Sequence, residues 1–285
     1  MNTVLWIILI TFISGVVGTG IGGLVGVLLK SESNKSVSLL LSFAAGVMLS
    51  VVCFDLISGA IMPENSVEQT NILVVIGGLL VGYGVIFLLN AFIDKVTNRE
   101  VEHIDEEHPK TADSLDELIH SDHFDVHKKG NSVSQLFIAG LVMAAAIALH
   151  NLPEGMVIGA SFAAAQESAM LSKSGIVMAV VIGLHNIPEG MAVSVPLCSG
   201  GMSKLKSVFV TAASGAPTIL GAILGYFIGM VSPLALSLAL SFASGAMLYV
   251  VFGELLPESI LIWRSKLPAF AILVGVIVGL LIIYL

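Results

Sequence analysis

Two short stretches of this sequence are nearly identical and together decide the fold: HNLPEGM at residues 150–156 and HNIPEGM at residues 185–191. Each lies within a long apolar run, which predicts a membrane helix. Residues four positions apart share one face of a helix, so the His and the Glu of each stretch are expected to point the same way. Two such helices side by side would gather two imidazoles and two carboxylates around one point.

These four side chains form a donor set that suits zinc and that iron, manganese, cobalt or cadmium also accept. They are His150, Glu154, His185 and Glu189. A carboxylate deep in a bilayer costs at least ~2.5 kcal/mol, and two facing carboxylates repel each other. A bound divalent cation removes both penalties. The plainer alternative is that each His pairs with the Glu one turn along its own helix, as an internal polar contact.

A proline in each motif cannot donate a backbone hydrogen bond, so a carbonyl in the preceding turn loses its helical partner. Asn151 and Asn186 lie beside these carbonyls. We therefore expect oxygen ligands, or groups that hold water, at the depth of the metal.

The composition excludes an ordinary soluble fold. Of the 285 residues, 56% are hydrophobic and 11% are charged, whereas about 25% are charged in a soluble domain. The prediction is an all-α integral membrane protein. About 20 apolar residues cross a bilayer, and eight transmembrane helices are expected, the first a retained span without a basic leader. Their ranges are 4–29, 37–62, 72–93, 135–160, 174–198, 207–230, 234–257 and 267–285.

An internal repeat relates the second span to the seventh. LSFAAGVMLSVVCFDLI at residues 41–57 aligns with LSFASGAMLYVVFGELL at residues 240–256, with Asp55 opposite Glu254. These spans run in opposite directions, as do the two spans that carry the His-Asn motifs. The simplest arrangement is a 3+2+3 inverted-repeat bundle, which is typical of secondary transporters.

The repeated acids suggest a path for a cation. Asp55 lies two turns beyond Met48 and is predicted to be an outer entrance ligand. Glu254 lies two turns beyond Met247 in the inverted copy, so it is predicted to be an inner exit ligand, with Glu258 lower still. The alternative is that these acids are charges at helix ends near the membrane surface.

Basic residues predict the orientation, because cytoplasmic loops are rich in them. Eleven of the twelve lie in connections on one side, and only Lys173 lies on the other. A multi-pass protein of the cell (plasma) membrane with both termini outside is therefore expected. The predicted segments are helices 1–3 in 1–93, a cytoplasmic loop rich in His and acids in 94–134, helices 4–5 with the metal site in 135–198, and helices 6–8 in 199–285.

The long loop contains His120, His123 and His127, whose spacing would allow weak metal binding. A solvated acidic linker whose histidines do nothing is an equal alternative.

Other function classes fit less well. The net charge of −8 disfavours a nucleic-acid partner, and two cysteines in apolar runs offer no disulfide framework. An intramembrane zinc-dependent hydrolase is the second hypothesis, because His and Glu around zinc also activate water. Mirrored entrance and exit acids favour transport over it. A metal sensor or receptor would need a folded soluble domain, and the loop at 94–134 is too polar to be expected to fold alone.

The whole chain resembles the ZIP family of divalent metal transporters, most specifically in its two HNxPEG motifs. The resemblance implies a metal site between spans 4 and 5, completed by span 2, and metal movement toward the cytoplasm. His150, Glu154, His185 and Glu189 match the transport site, and Met48 matches an additional ligand. The metal is then a transported substrate rather than a cofactor, and the chain is not an enzyme.

The resemblance also implies a place for a second metal, which Asn151 and Asn186 would help to hold. This chain departs from the family there, because an acid that some members carry at position 186 is absent and a Glu often found in span 6 is replaced by Thr218. One tight site with a weaker, watery neighbour is expected. The lipid bilayer is a partner throughout, and a homodimer is possible.

Overall fold

The computed structural model describes residues 3–28, 34–63, 66, 68–97, 132–164, 173–263 and 265–284. Regular structure within these ranges is helical, without strands. The helices are α1 (Thr3–Leu28), α2 (34–61), α3 (Ile72–Thr97), α4 (Ser132–Ala164), α5 (Lys173–Ser199), α6 (Lys204–Gly229), α7 (233–262) and α8 (Leu267–Tyr284). The loop histidines 120, 123 and 127 lie outside the described residues.

Seven helical stretches in the described part of the chain are long and apolar enough to cross a membrane. They belong to every helix except α4, and they correspond to seven of the eight predicted spans. The predicted span 135–160 falls within α4, a helix of 33 residues that carries the first His-Asn motif at its centre. The prediction of an all-helical membrane protein is confirmed, and the eighth crossing stays a prediction.

A wide, π-helical turn interrupts α2 and α7 at equivalent places. The turn spans Val52–Leu56 in α2 and Val250–Leu255 in α7, so the internal repeat extends to the backbone. The two turns contain Asp55 and Glu254 respectively. Such turns are rare and often lie at functional sites.

Irregular backbone also occurs in α1 and α6. A π-helical turn over Phe12–Val17 contains the pair Ser14-Gly15, and α6 breaks directly after Ser214, with Pro217 beginning its second half. The same dipeptide, Ser14-Gly15 in α1 and Ser214-Gly215 in α6, therefore lies at the irregular turn of each helix.

Close backbone contacts pair α1 with α5 and α6 with α4. A Cβ on Gly190 of α5 would overlap the carbonyl oxygen of Thr19 in α1, and one on Gly155 of α4 would overlap that of Thr218 in α6. Small residues permit such approaches between membrane helices. The α1–α5 contact and the α6–α4 contact are therefore equivalent, with α1 corresponding to α6 and α5 to α4.

The remaining helices follow the same scheme, since α2 packs on α8 as α7 packs on α3. A Cβ on Gly275 of α8 would overlap the carbonyl of Phe43, and one on Gly82 of α3 would overlap that of Phe242. The predicted 3+2+3 arrangement implies that α3 corresponds to α8, although no separate sequence match between these two spans pointed to it.

Two hydrogen bonds join α2 to α7, one at each end. The Ser38 hydroxyl donates to the carbonyl of Ser259 at 2.6 Å, and the Ser237 hydroxyl donates to the carbonyl of Ala60 at 2.6 Å. Both donors are fully buried. We call these contacts the end ties; they hold the two helices of the repeat together as an antiparallel pair.

Candidate metal centre

The two His-Asn motifs meet across the interface of α4 and α5, so that each His contacts the Glu of the other helix. His185 Nε2 lies 2.8 Å from Glu154 Oε1, and His150 Nε2 lies 3.4 Å from Glu189 Oε1. Within α5, His185 Nε2 is 3.5 Å from Glu189 Oε1. The shortest of these distances, 2.8 Å, joins two helices. The alternative of separate His–Glu contacts inside each helix does not explain it.

Burial of the cluster is nearly complete, with exposed fractions of 0% for Glu154, 1% for Glu189 and 3% for each His. Several polar atoms nevertheless have no hydrogen-bond partner. They are both ring nitrogens of His150, Nδ1 of His185, Oε2 of Glu154 and both carboxylate oxygens of Glu189. Buried polar atoms in proteins are almost always satisfied, so this concentration of lone pairs and charge indicates a place for a cation.

The spacing of the donor atoms fits one small ion. Ligand atoms of His150, Glu154 and Glu189 all lie within 4.8 Å of one another. Two ligands of a tetrahedral zinc, each bound at about 2.0–2.1 Å, are about 3.3 Å apart. The contacts of 3.4 and 3.5 Å that Glu189 makes with the two histidines are close to this value.

The two motif asparagines are held by the irregular turns of α1 and α6. Asn151 Nδ2 donates to the carbonyl of Ser214 at 3.1 Å, and Asn186 Nδ2 donates to the carbonyl of Ser14 at 3.1 Å. Backbone carbonyls at the irregular turns of α1 and α6 thus hold both amides.

The two motifs differ in the partners of their asparagine amide oxygens. Thr218 donates its hydroxyl to Asn151 Oδ1 at 3.2 Å, whereas the equivalent Thr19 donates to the carbonyl of Gly15 in its own helix. Asn186 Oδ1 is left buried and without a hydrogen-bond partner. Of the two predicted amide ligands, Asn186 is the one whose oxygen is free to bind an ion.

Glu254 reaches the cluster from α7. Its Oε2 lies 3.4 Å from His150 Nδ1, the ring nitrogen that faces away from Glu189. The Glu254 side chain is 20% exposed, whereas that of Glu189 is 1% exposed. Glu254 is therefore a more exposed carboxylate than Glu189 at the same histidine.

The other predicted site residues lie on α2 and α7. Met48 is 1% exposed in the hydrophobic core of α2, which packs against α5. Asp55 is partly buried in the π-helical turn of α2. Glu258 lies on the last helical segment of α7, and its side chain is outside the described part of the structure.

Comparison with known proteins gives one consistent answer. The family described as ZIP Zinc transporter matches residues 3–283. The chain belongs to the ZIP zinc transporter family. A "Zinc transporter ZupT" from Clostridium perfringens is 31% identical over 98% of this chain and 95% of its own length.

Two further relatives of this ZIP chain carry similar names. A "Zinc transporter ZupT" from Streptococcus mutans is 30% identical over 95% of this chain and 93% of its own length. A "Zinc transporter ZIP11" from Homo sapiens is 39% identical over 50% of this chain and 41% of its own length. The family consists of transporters, which supports the expectation that the chain is not an enzyme and disfavours the hydrolase alternative.

Sequence reasoning about this ZIP chain missed the groups that support the site. The carbonyls of Ser14 and Ser214 hold the asparagines, and their only signal was the shared Ser-Gly pair. Tyr249 was also missed, although its hydroxyl accepts a hydrogen bond from Asn90 Nδ2 at 2.9 Å. Asn90 is a polar residue in an otherwise apolar run, and that was the available signal.

Proposed function

We propose that this chain carries divalent transition metals, zinc foremost, across the membrane toward the cytoplasm through the cluster of His150, Glu154, His185 and Glu189. Iron, manganese, cobalt and cadmium are further candidate substrates, because the nitrogen and oxygen donors accept them. The observation that carries the proposal is the contact of each His with the Glu of the other helix, at a buried cluster in which several polar atoms lack a hydrogen-bond partner. The names of the relatives support zinc as the substrate.

We further propose that α4 is an eighth crossing and that the helices form a 3+2+3 inverted-repeat bundle. The matched pairs α1–α5 and α6–α4, and likewise α2–α8 and α7–α3, support this arrangement. The basic residues support termini outside and segment 94–134 in the cytoplasm of a cell that carries the protein in its plasma membrane. Inverted repeats supply two similar gates that face opposite sides.

Alternating access then requires one group of helices to move against another. The end ties hold α2 and α7 together at both ends, which favours this pair, with α3 and α8, as the fixed part. The donors lie on α4 and α5, which interlock with α6 and α1 through glycine contacts. We propose that α1, α4, α5 and α6 carry the metal as one body.

The remaining predicted residues receive roles along this path. We propose Asp55 as an entrance ligand, Glu254 and Glu258 as exit ligands, and Met48 as a soft ligand at the site. Asn186 Oδ1 is the better placed amide for a second, weaker position, because the oxygen of Asn151 is engaged by Thr218. The loop histidines 120, 123 and 127 would capture metal transiently after release.

The test is zinc uptake into proteoliposomes by wild-type protein, His150→Ala and Glu189→Ala. Each variant removes one donor, and uptake is expected to fall to the level of empty vesicles. Glu68→Gln removes a carboxylate from an exposed loop and serves as the control, with uptake equal to the wild type. Unchanged uptake in both site variants would show that the metal takes another route.

A further inference from the structure

The interface of α4 and α5 contains two glycines, each covered by a large apolar side chain of the other helix. A Cβ on Gly140 of α4 would lie 2.7 Å from the Leu197 side chain and 2.8 Å from the Leu197 backbone nitrogen. A Cβ on Gly175 of α5 would lie 2.8 Å from the Phe162 ring. Leu197 is 0% exposed and Phe162 is 1% exposed. Neither glycine could therefore gain a side chain unless the helices or the covering side chain moved.

The two contacts are equivalent under the internal repeat. The two His-Asn motifs begin 35 positions apart, at 150 and 185, and the same offset relates Gly140 to Gly175 and Phe162 to Leu197. The offset also relates buried apolar residues that cluster with each contact: Ala144, Ile147 and Val193 with Leu197, and Ala179, Ile182 and Ile158 with Phe162. The repeat thus includes the packing of α4 on α5.

The contacts lie on opposite sides of the metal cluster. Leu197 is eight residues beyond Glu189, and Phe162 is eight residues beyond Glu154, which is about 12 Å along a helix in each case. Early residues of α4 contact late residues of α5 and the reverse, so the two helices are antiparallel. The four donors therefore lie between two tight contacts of the same helix pair.

The distances within the cluster depend on how far apart α4 and α5 are. The 2.8 Å contact of His185 with Glu154 and the 3.4 Å contact of His150 with Glu189 both join one helix to the other. Closely packed interiors transmit a displacement rather than absorb it. A change in the packing at either end of the interface should therefore reach the donor atoms.

We propose that the contacts of Leu197 with Gly140 and of Phe162 with Gly175 set the separation of α4 and α5, and with it the preference of the site for zinc over the larger cadmium ion. These four are positioning residues that act through the donors. The inference rests on the proposed function and adds to it a determinant of selectivity. Geometry, as well as the type of donor, decides which metal a protein site selects.

A wider site should affect the two ions unequally. A methyl group added at position 140 or 175 would push the helices apart. Zinc needs short bonds of about 2.0–2.1 Å to nitrogen and oxygen, so zinc should lose more affinity than cadmium. A packing contact with a purely structural role would instead lower the stability of the protein and leave the ratio of the two affinities unchanged.

The experiment is calorimetric titration of the purified full chain with zinc and, separately, with cadmium at the same pH. Gly140→Ala and Gly175→Ala are each expected to weaken zinc binding about tenfold and cadmium binding less than about threefold. Adding Phe162→Ala to Gly175→Ala removes the ring that the new methyl group would meet. In this double variant the ratio should return to within about twofold of the wild-type value.

Gly82→Ala is the matched control, because a Cβ there would overlap the carbonyl of Phe242 in the distant interface of α3 and α7. It should lower the temperature of thermal unfolding and keep the wild-type ratio. A wild-type ratio in both Gly140→Ala and Gly175→Ala, or an equal shift in Gly82→Ala, would overturn the inference.

If either glycine variant of the α4–α5 interface fails to fold, the double variant with Phe162→Ala and the remaining single variant decide. A double variant that folds but keeps an altered ratio would show that the Phe162 contact does not set the spacing. Wild-type protein that binds neither ion would instead refute the proposed function itself.

Discussion

His185 Nε2 lies 2.8 Å from Glu154 Oε1, closer than it lies to Glu189 on its own helix. The two motifs are therefore joined at the level of their side chains, and the cluster exists only where α4 and α5 meet. A donor lost from either helix leaves charge or lone pairs on the other without a partner, in surroundings that exclude water.

The joined motifs predict strongly non-additive zinc binding. His185→Ala and Glu154→Gln are each expected to weaken binding by about tenfold or more, since even the outer partners of metal ligands are worth 10–100-fold. The double variant should lose much less than the product of the two effects, because either change alone already breaks the shared contact. Calorimetric titration of purified protein with zinc measures this, with Glu68→Gln as control. Strictly multiplicative losses would mean that the two residues act independently.

The broken symmetry at the asparagines predicts unequal effects of the same substitution. Asn186→Ala removes an amide oxygen that is free to bind metal, whereas Asn151→Ala removes one that Thr218 already occupies. We expect Asn186→Ala to weaken zinc binding by about tenfold and Asn151→Ala by about twofold. Each variant is the control for the other, because both lose one hydrogen bond to a carbonyl. Equal losses in the same titration would show that the unpaired oxygen of Asn186 gives it no special role in binding the ion.

The close contact of Gly155 in α4 with α6 predicts that adding one methyl group at position 155 lowers the stability of the protein. A Cβ at position 155 would overlap the carbonyl oxygen of Thr218, whereas one at Gly84 of α3 would meet nothing within 4 Å. Gly155→Ala should therefore destabilise the protein by about 1–3 kcal/mol, and Gly84→Ala should change stability by less than about 0.5 kcal/mol. Thermal unfolding in detergent compares the two. A harmless Gly155→Ala would mean that α4 and α6 are separable.

The end ties predict two small and independent losses of stability. Ser38→Ala and Ser237→Ala each remove one buried hydrogen bond, which in membrane proteins is worth about 0.6 kcal/mol on average and up to about 1.7 kcal/mol. The sites lie at opposite ends of the same helix pair, so the losses should add. Ser58→Ala, at an exposed position of α2, provides the reference. Unfolding of the double variant at the wild-type temperature would argue against a fixed α2–α7 pair.

Much of this architecture was predictable because the membrane restricts what a sequence can do. Apolar runs are expected to form helices there. The sequence repeat at 41–57 and 240–256 indicated a duplication, and the backbone shows it too, because α2 and α7 have π-helical turns at equivalent places. The shared helix face of His150 and Glu154 followed from their spacing.

The contacts between helices could not be predicted, because sequence patterns do not show which helices pack together. The spacing of His150 and Glu154 gives a shared face, but the choice of Glu189 as the nearer partner of His150 Nε2 requires the crossing of α4 over α5. The carbonyl that holds Asn186 belongs to Ser14, 172 residues away in the chain. Backbone carbonyls carry no signature of residue type, so sequence patterns do not identify such acceptors.

The end ties also set unequal limits on which substitutions the α2–α7 pair tolerates. Each tie has a side-chain donor, Ser38 or Ser237, and a main-chain acceptor, at Ser259 or Ala60. A carbonyl is present whatever residue occupies the position, so positions 60 and 259 are free to drift among residues that fit the space. At positions 38 and 237 a residue without a hydroxyl loses the hydrogen bond, at the small cost given above. In a library that samples every substitution, the four positions should therefore separate into two permissive and two restricted sites, divided by which half of the hydrogen bond each supplies.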